Sequence, residues 1–145
     1  MSVTAFLGFS TLAWSQGSLT FEKSKLEIRT LKGENSFEVE LAVTERQHSQ
    51  GLMYRRSMAA NAGMLFDYGT MRHIGMWMKN TYLPLDMIFI DSKGKIINIV
   101  ERTIPHSLSV ISSRGRVRAV LELNSGTASR LGINEGDTVI HSIFR

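Results

Sequence analysis

Six residues in this chain have side chains suited to chemistry and sit where apolar residues dominate: Arg55, Trp77, Lys79, Asn80, Asp86 and Glu122. Four of them fall in one run, GMWMKNTYLPLDMIFID (residues 75–91), where an indole, an ammonium, an amide and a carboxyl interrupt large apolar side chains. A few polar groups converging on an apolar concavity are the usual makings of a small-molecule site. An aromatic face beside amide and carboxyl groups suits a sugar. Glu122 sits within VLEL, between apolar neighbours. A carboxyl in such surroundings must find a partner or keep its proton, so Glu122 either pairs with an arginine or acts as an acid.

Two carboxylates also raise the possibility of hydrolysis. Acid–base chemistry on glycosides needs a pair of carboxyls roughly 5 to 10 Å apart, and Asp86 with Glu122 is the available pair. The structural reading competes with both. Asp86 would accept backbone N–H groups of the NTYLPL connection, or pair with Lys79 or an arginine, and Asn80 would do similar turn work. The two readings are compatible, because a rim held by hydrogen bonds can also bind.

Other features point to scaffold. Arg114, Arg116 and Arg118 alternate and are expected on one face of a charged, solvated edge. Met71, Met76, Met78 and Met87 read as core filling. With no cysteine, thiolate nucleophiles and cysteine metal sites are excluded, and His48, His73, His106 and His141 lie too far apart in sequence for a local ligand motif. No phosphate-cradling loop is present, so no metal and no cofactor is expected.

These residues must be positioned by short alternating runs. LTFEKSKLEIRT and SFEVELAV, around a Lys32–Asn35 turn, predict a hairpin. Thr44-Glu45-Arg46-Gln47 fits a capping box opening a helix from about Glu45 to Met53. GMLFDY (63–68), HIGMWMK (73–79), LDMIFID (85–91), KIINIVERT (95–103), VRAVLEL (117–123) and TVIHSIF (138–144) follow as strands. A second short helix is expected over about Gly126–Leu131, capped by Asn124 or Ser125 and closed by Gly132. Alternation puts Trp77 with Lys79 on one face, and Asp86 with Ile88 and Ile90 on one face of a strand buried on both sides. Lys79, Asn80 and Asp86 are thus expected at one end of the sheet, with Pro84 stiffening the connection. Many short strands without long crossover helices predict a mainly β fold: a small, curved or closed β-barrel-like single domain over residues 19–145.

At 145 residues the chain is one domain by length, and 43% hydrophobic with 21% charged residues is ordinary globular composition. A net charge of +4, from 11 arginines and 6 lysines against 13 acids, is too weak a bias to imply nucleic acid. The first 21 residues carry no charged side chain, and Val3–Trp14 is mostly apolar with small residues at Ala13 and Ser15. That predicts a secretory signal over residues 1–15 and a mature chain beginning near Gln16, exported and periplasmic. The run is too short for a stable membrane span.

GLMYRRS, GMLFDY, MWMKNTYLPLDMIFID with SKGKIINI, VLELNSGTASRLGI and GDTV occur in this order. Together they resemble the domain of unknown function family numbered 192, small and often exported bacterial and archaeal β-rich proteins. The resemblance covers roughly residues 36–144 and implies a compact β-barrel-like fold. It implies no activity and no functional residues. Met58-Ala59-Ala60-Asn61 departs from the Leu-Pro start that members commonly have in that loop. The leading expectation is an exported β-domain that binds a small molecule or an envelope component without catalysis, since no nucleophile–base pair is recognisable. A two-carboxylate hydrolase and an envelope assembly module that pairs through a sheet edge are the alternatives.

Overall fold

The computed structural model describes residues 18–145, so the expected signal segment lies outside the described residues. The chain opens with the predicted hairpin. β1 (Glu22–Thr30) pairs antiparallel with β2 (Gly33–Ala42), placing Leu26 opposite Phe37. The capping box forms: Gln47 N donates to Thr44 Oγ1 at 3.2 Å, and Thr44 N donates to Gln47 Oε1 at 3.0 Å. Helix α1 (Glu45–Gln50) stops short of the expected Met53, because Gly51 adopts φ +47° and turns the chain out of the helix.

Strand β3 (Ala62–Arg72) then runs parallel to β2, with α1 in the crossover, the one parallel pair among the described strands. Next come β4 (Gly75–Met76), β5 (Leu85–Ile90), β6 (Ile96–Val100), β7 (Ile111–Ser112) and β8 (Val117–Asn124). Helix α2 (Thr127–Leu131), β9 (Thr138–Ile140) and a 3-10 turn over Ser142–Phe144 finish the chain. Seven strands form one sheet in the order β6-β5-β8-β3-β2-β1-β9, and β4 pairs with β7 in a separate ribbon.

The sheet curls into a half-barrel whose outer strands meet at one end. Lys95, just before β6, bridges Thr138 of β9. Val139 N donates to Gly94 O at 2.7 Å and Ile96 N to Asp137 O at 2.9 Å. This seam covers backbone groups that an open edge would leave unpaired.

Curling gives the sheet two apolar faces and two cores. The inner core gathers Leu26, Ile28, Phe37, Val39, Leu65, Ile88, Ile90, Leu121 and Leu123, with Ala128 of α2 and Ile133 beyond it closing one end. An outer core gathers Ala42, Leu52, Met64, Phe66, Ile74, Met78, Leu85, Met87, Phe89 and Val120, covered by the α1 turn and the β4 segment. Every residue of β5 is buried, as a strand apolar on both faces requires. Each fully buried Leu, Ile or Phe contributes about 1.5–3 kcal/mol of burial free energy, so both layers are needed.

Four expectations need correction. The strand predicted over 73–79 shrinks to Gly75–Met76: Thr81 N donates back to Met78 O at 3.1 Å and Asn80 takes φ +52°, so the chain turns out of the extended form. This strand also belongs to the ribbon with β7 and not to the main sheet. The last strand ends at Ile140, where His141 Nδ1 accepts Ile143 N at 3.3 Å and starts the 3-10 turn. The arginine run does not mark an edge, because β8 lies between β5 and β3. Arg118 pairs with Asp67 at 3.1 Å, Arg114 with Glu135 at 2.9 Å, and Arg116 donates to Met71 O at 2.8 Å.

The seam gives a test of closure. Gly94 has φ +86°, and a Cβ there would lie 2.3 Å from Val139 O. Gly69 has φ +75° and open space around it. Both Gly→Ala changes carry the left-handed penalty of about 1–2 kcal/mol, but only Gly94→Ala adds a clash with backbone. Urea unfolding is expected to show Gly94→Ala clearly less stable than Gly69→Ala; equal midpoints would mean the seam does not hold the barrel.

Candidate functional site

A cavity of ≈ 100 Å³ opens on the outer face of the sheet, between the α1 turn, β3 and the β4 segment. Glu122 of β8 lines it, with Phe66 and Tyr68 of β3, Met76 of β4, Trp77, Lys79 and Thr81 after it, and residues 48–53 around the end of α1. Register explains the placement. Glu122 stands opposite Met64 on one side and Met87 on the other, both outer-core residues. Alternation along β3 sends Met64, Phe66 and Tyr68 to the same side.

Glu122 is 4% exposed. No hydrogen bond from another described residue reaches its carboxyl, and neither a cation nor a donor offsets its desolvation. Burial therefore raises its pKa from 4.5 to about 8. Tyr68 lies close enough to feel that charge: burial first, and Glu122 second, push the phenol up to about 12 against the lowering effect of Arg72. The phenol stays neutral and donates to Met76 Sδ at 3.3 Å.

His48 fixes the helical wall. Its Nε2 donates to Ala42 O at 2.8 Å and to Asp67 O at 3.0 Å, and its ring lies 4.3 Å from that of Tyr68. Gly51 completes the wall: a Cβ there would lie 3.0 Å from the Phe66 ring. At the mouth, Trp77 is 48% exposed, and Lys79 Nζ sits 5.1 Å from its ring centroid, a cation–π distance.

The other sequence candidates lie elsewhere. Asp86 is fully buried on the opposite face of the sheet, because it pairs with Leu123 while Glu122 pairs with Met87. Its Oδ1 accepts Arg102 N at 3.0 Å and Gly126 N at 3.2 Å, and Oδ2 accepts Ala128 N at 2.9 Å. Backbone groups thus partner Asp86, as the structural reading expected, but they come from the β6–β7 connection and α2 instead of NTYLPL. It also replaces the expected Asn124 or Ser125 cap of α2, which has no side-chain cap at Gly126. Asp86 therefore does not share a mouth with Trp77 and Lys79, and it is not paired with Glu122 across a cleft.

Arg55 grips Glu40 through both guanidinium nitrogens, one at 3.0 Å, and packs over the Phe21 ring. Asn80 Nδ2 donates to Tyr54 Oη at 3.0 Å, and Tyr54 N donates to Asn80 O at 2.9 Å. Both residues tie loops beside the site and do not line it. Sequence reading missed His48, Phe66, Tyr68, Met76 and Thr81. The alternation Met64-Phe66-Tyr68 was a usable signal for β3; nothing local pointed to His48. Among the described residues, no three His, Asp or Glu side chains gather as metal ligands, and no helix is long and apolar enough to cross a membrane.

The buried carboxyl has a signed consequence for stability. A group protonated up to about pH 8 when folded but only to about 4.5 when unfolded stabilises fully below 4.5, and the benefit is lost as pH rises towards 8. Glu122→Gln, which mimics the protonated form, is expected to melt with the native protein near pH 4.5 and above it at pH 8–9. A melting difference that does not change with pH would place the carboxyl in a solvated or paired environment.

Comparison with known proteins fits this architecture. A crystal structure of a proposed transcription regulator from Sinorhizobium meliloti 1021 is 50% identical, superposes with a TM-score of 0.85, and the match covers 88% of this chain and 99% of that one. A protein of unknown function from Novosphingobium aromaticivorans DSM 12444 is 31% identical with a TM-score of 0.82, covering 92% of this chain and 99% of that one. No curated protein matches. The family model DUF192, described as an uncharacterized ACR, matches residues 27–141, and the chain belongs to this family.

Proposed function

We propose that this domain is an exported, non-catalytic binding module that takes a small ligand, or one small group of a larger one, into the pocket walled by Tyr68 and Trp77. One observation carries the reading: Glu122 is buried at the pocket, and among the described residues none donates a hydrogen bond to its carboxyl. A structural carboxyl would be expected to have donors, as Asp86 has. The cavity, ≈ 100 Å³, is well below the ≈ 300–1,000 Å³ of sites that enclose drug-sized ligands. It suits a head group of a few heavy atoms, with the half-exposed Trp77 available to the rest of the ligand, a sugar ring among the candidates.

A two-carboxylate hydrolase loses its support, since Asp86 and Glu122 point to opposite sides of one sheet and Asp86 is fully engaged. Assembly through a sheet edge is likewise disfavoured by the seam between β6 and β9. The Sinorhizobium relative's description as a regulator suggests nucleic acid, which needs cations free to meet phosphates. Here the net charge is only +4, and Lys23, Arg29, Arg55, Arg114 and Arg118, five of the 17 basic residues, are held in ion pairs. A small-molecule ligand is the better fit.

Thermal shift against sugars, cell-wall fragments, small amines and small anions tests the reading. A binder at a hundredfold excess over its Kd adds ~2.7 kcal/mol, a rise of several degrees, and Trp77→Ala is expected to reduce it. No shift with any class, in the native protein or in Glu122→Gln, would sink the proposal. Export rests on the uncharged, apolar run over residues 3–14. Mass spectrometry of the periplasmic fraction is expected to find a mature N-terminus near Gln16; full-length chain confined to the cytoplasm would refute it.

A further inference from the structure

We propose that the group this pocket recognises is a cationic nitrogen, an ammonium seated against the Glu122 carboxylate and the ring faces of Tyr68, Phe66 and Trp77. The proposal rests on the binding reading above and narrows it to one chemical class. Its basis is a census of donors and acceptors around the cavity.

Three donors of the lining are already committed. His48 Nε2 serves two carbonyls, the Tyr68 hydroxyl serves the Met76 sulfur, and Thr81 Oγ1 donates to Lys79 O at 3.0 Å. Acceptors also remain: the Glu122 carboxyl, the thioether of Met53, and the C-terminal end of α1, which carries partial negative charge although Gln47 O and Gln50 O already accept Gly51 N and Met53 N. An anion entering here would keep Glu122 protonated, with that carboxyl's O–H and the side chains of Ser49, Gln50, Trp77 and Lys79 as the donors left to meet it. An ammonium would find a carboxylate, polarisable sulfur and aromatic faces, which attract cations through their quadrupole. It would also bring Glu122 a positive charge that, among the described residues, none supplies.

Lys79 is the one cation on the lining, exposed at the mouth and parked over the Trp77 ring. It therefore competes with a cationic ligand for the indole and repels it. For an anionic ligand its role would be reversed, which makes Lys79 a discriminating residue.

Proton linkage gives a second discriminator. The ionisable groups facing Glu122 are Tyr68 from β3, His48 from α1 and Lys79 from the segment after β4, with Arg72 beyond Tyr68; β5 presents the uncharged Met87. With its pKa held near 8 by burial, Glu122 is protonated in the empty pocket at neutral pH. A permanent cation must expel that proton to form the ion pair. Its affinity should therefore rise about tenfold per pH unit below 8 and level off above it.

The test compares choline with its neutral carbon isostere 3,3-dimethyl-1-butanol, and with acetate and inorganic phosphate, by calorimetry from pH 6 to pH 9. The expected result is choline at least tenfold tighter than the isostere, with the stated pH slope. Glu122→Gln is expected to abolish both the preference and the slope, and Lys79→Met to tighten choline binding. Glu122-dependent binding of the neutral isostere, or of an anion weakened by Lys79→Met, would overturn the cation assignment and leave the pocket a binding site. Silence from every probe here and in the thermal-shift panel would overturn both.

Discussion

Two adjacent strands of this sheet, β5 and β8, are buried on both faces, and the twofold alternation of side chains leaves no neutral direction for a polar residue on either. A carboxyl placed there faces one core or the other. Asp86 and Glu122 occupy neighbouring rungs of this strand pair and are sent to opposite sides by a single step in register. Each must then be stabilised by what its own side of the sheet provides, because a buried carboxylate without partners costs several kcal/mol.

On the inner side that provision is generous. Asp86 meets three backbone N–H groups, two of them at the start of α2, a helix too short to be stable alone and lacking a side-chain cap. One carboxyl thereby fastens α2 to the sheet and anchors the chain leaving β6. The outer side surrounds Glu122 with rings and sulfur as well as polar groups, but among the described residues none donates a hydrogen bond to its carboxyl. The same chemical group is consumed by the scaffold on one face and opens onto the cavity on the other. Places where a sequence breaks its own stability rules without compensation are where function is expected.

Much of this fold could be read from the chain. The β1–β2 hairpin, the Thr44–Gln47 capping box, the buried LDMIFI strand and the close of α2 at Gly132 all follow from local patterns, and local patterns survive folding when tertiary packing agrees with them. The site was legible only in part. Trp77, Lys79 and Glu122 line one cavity, while Asp86, Asn80 and Arg55 are bound up in scaffold contacts. Alternation tells which residues share a face, but not which core that face meets. In VRAVLELN and LDMIFI both faces are apolar, so nothing in either run shows that Asp86 and Glu122 diverge. That depends on pairing across β8, a long-range fact. Tyr68 and His48 were missed for the same reason, since their meeting joins a strand and a helix through the parallel crossover.

The position of the pocket follows from how the second layer is built. The outer face of a curled sheet needs a cover, and here the cover is two short pieces, the α1 turn and the β4 segment, which are not joined to each other by a continuous element. Their junction falls over Glu122, where Gly51 and Gly75 line the gap without side chains of their own to fill it. Gly51 has no room for one, since a Cβ would press on Phe66. Filling the gap from beneath with a Leu or Met at position 122 would be the simplest way to stabilise this fold. The chain instead places a carboxyl there, and burial raises its pKa to about 8, a state that serves packing poorly.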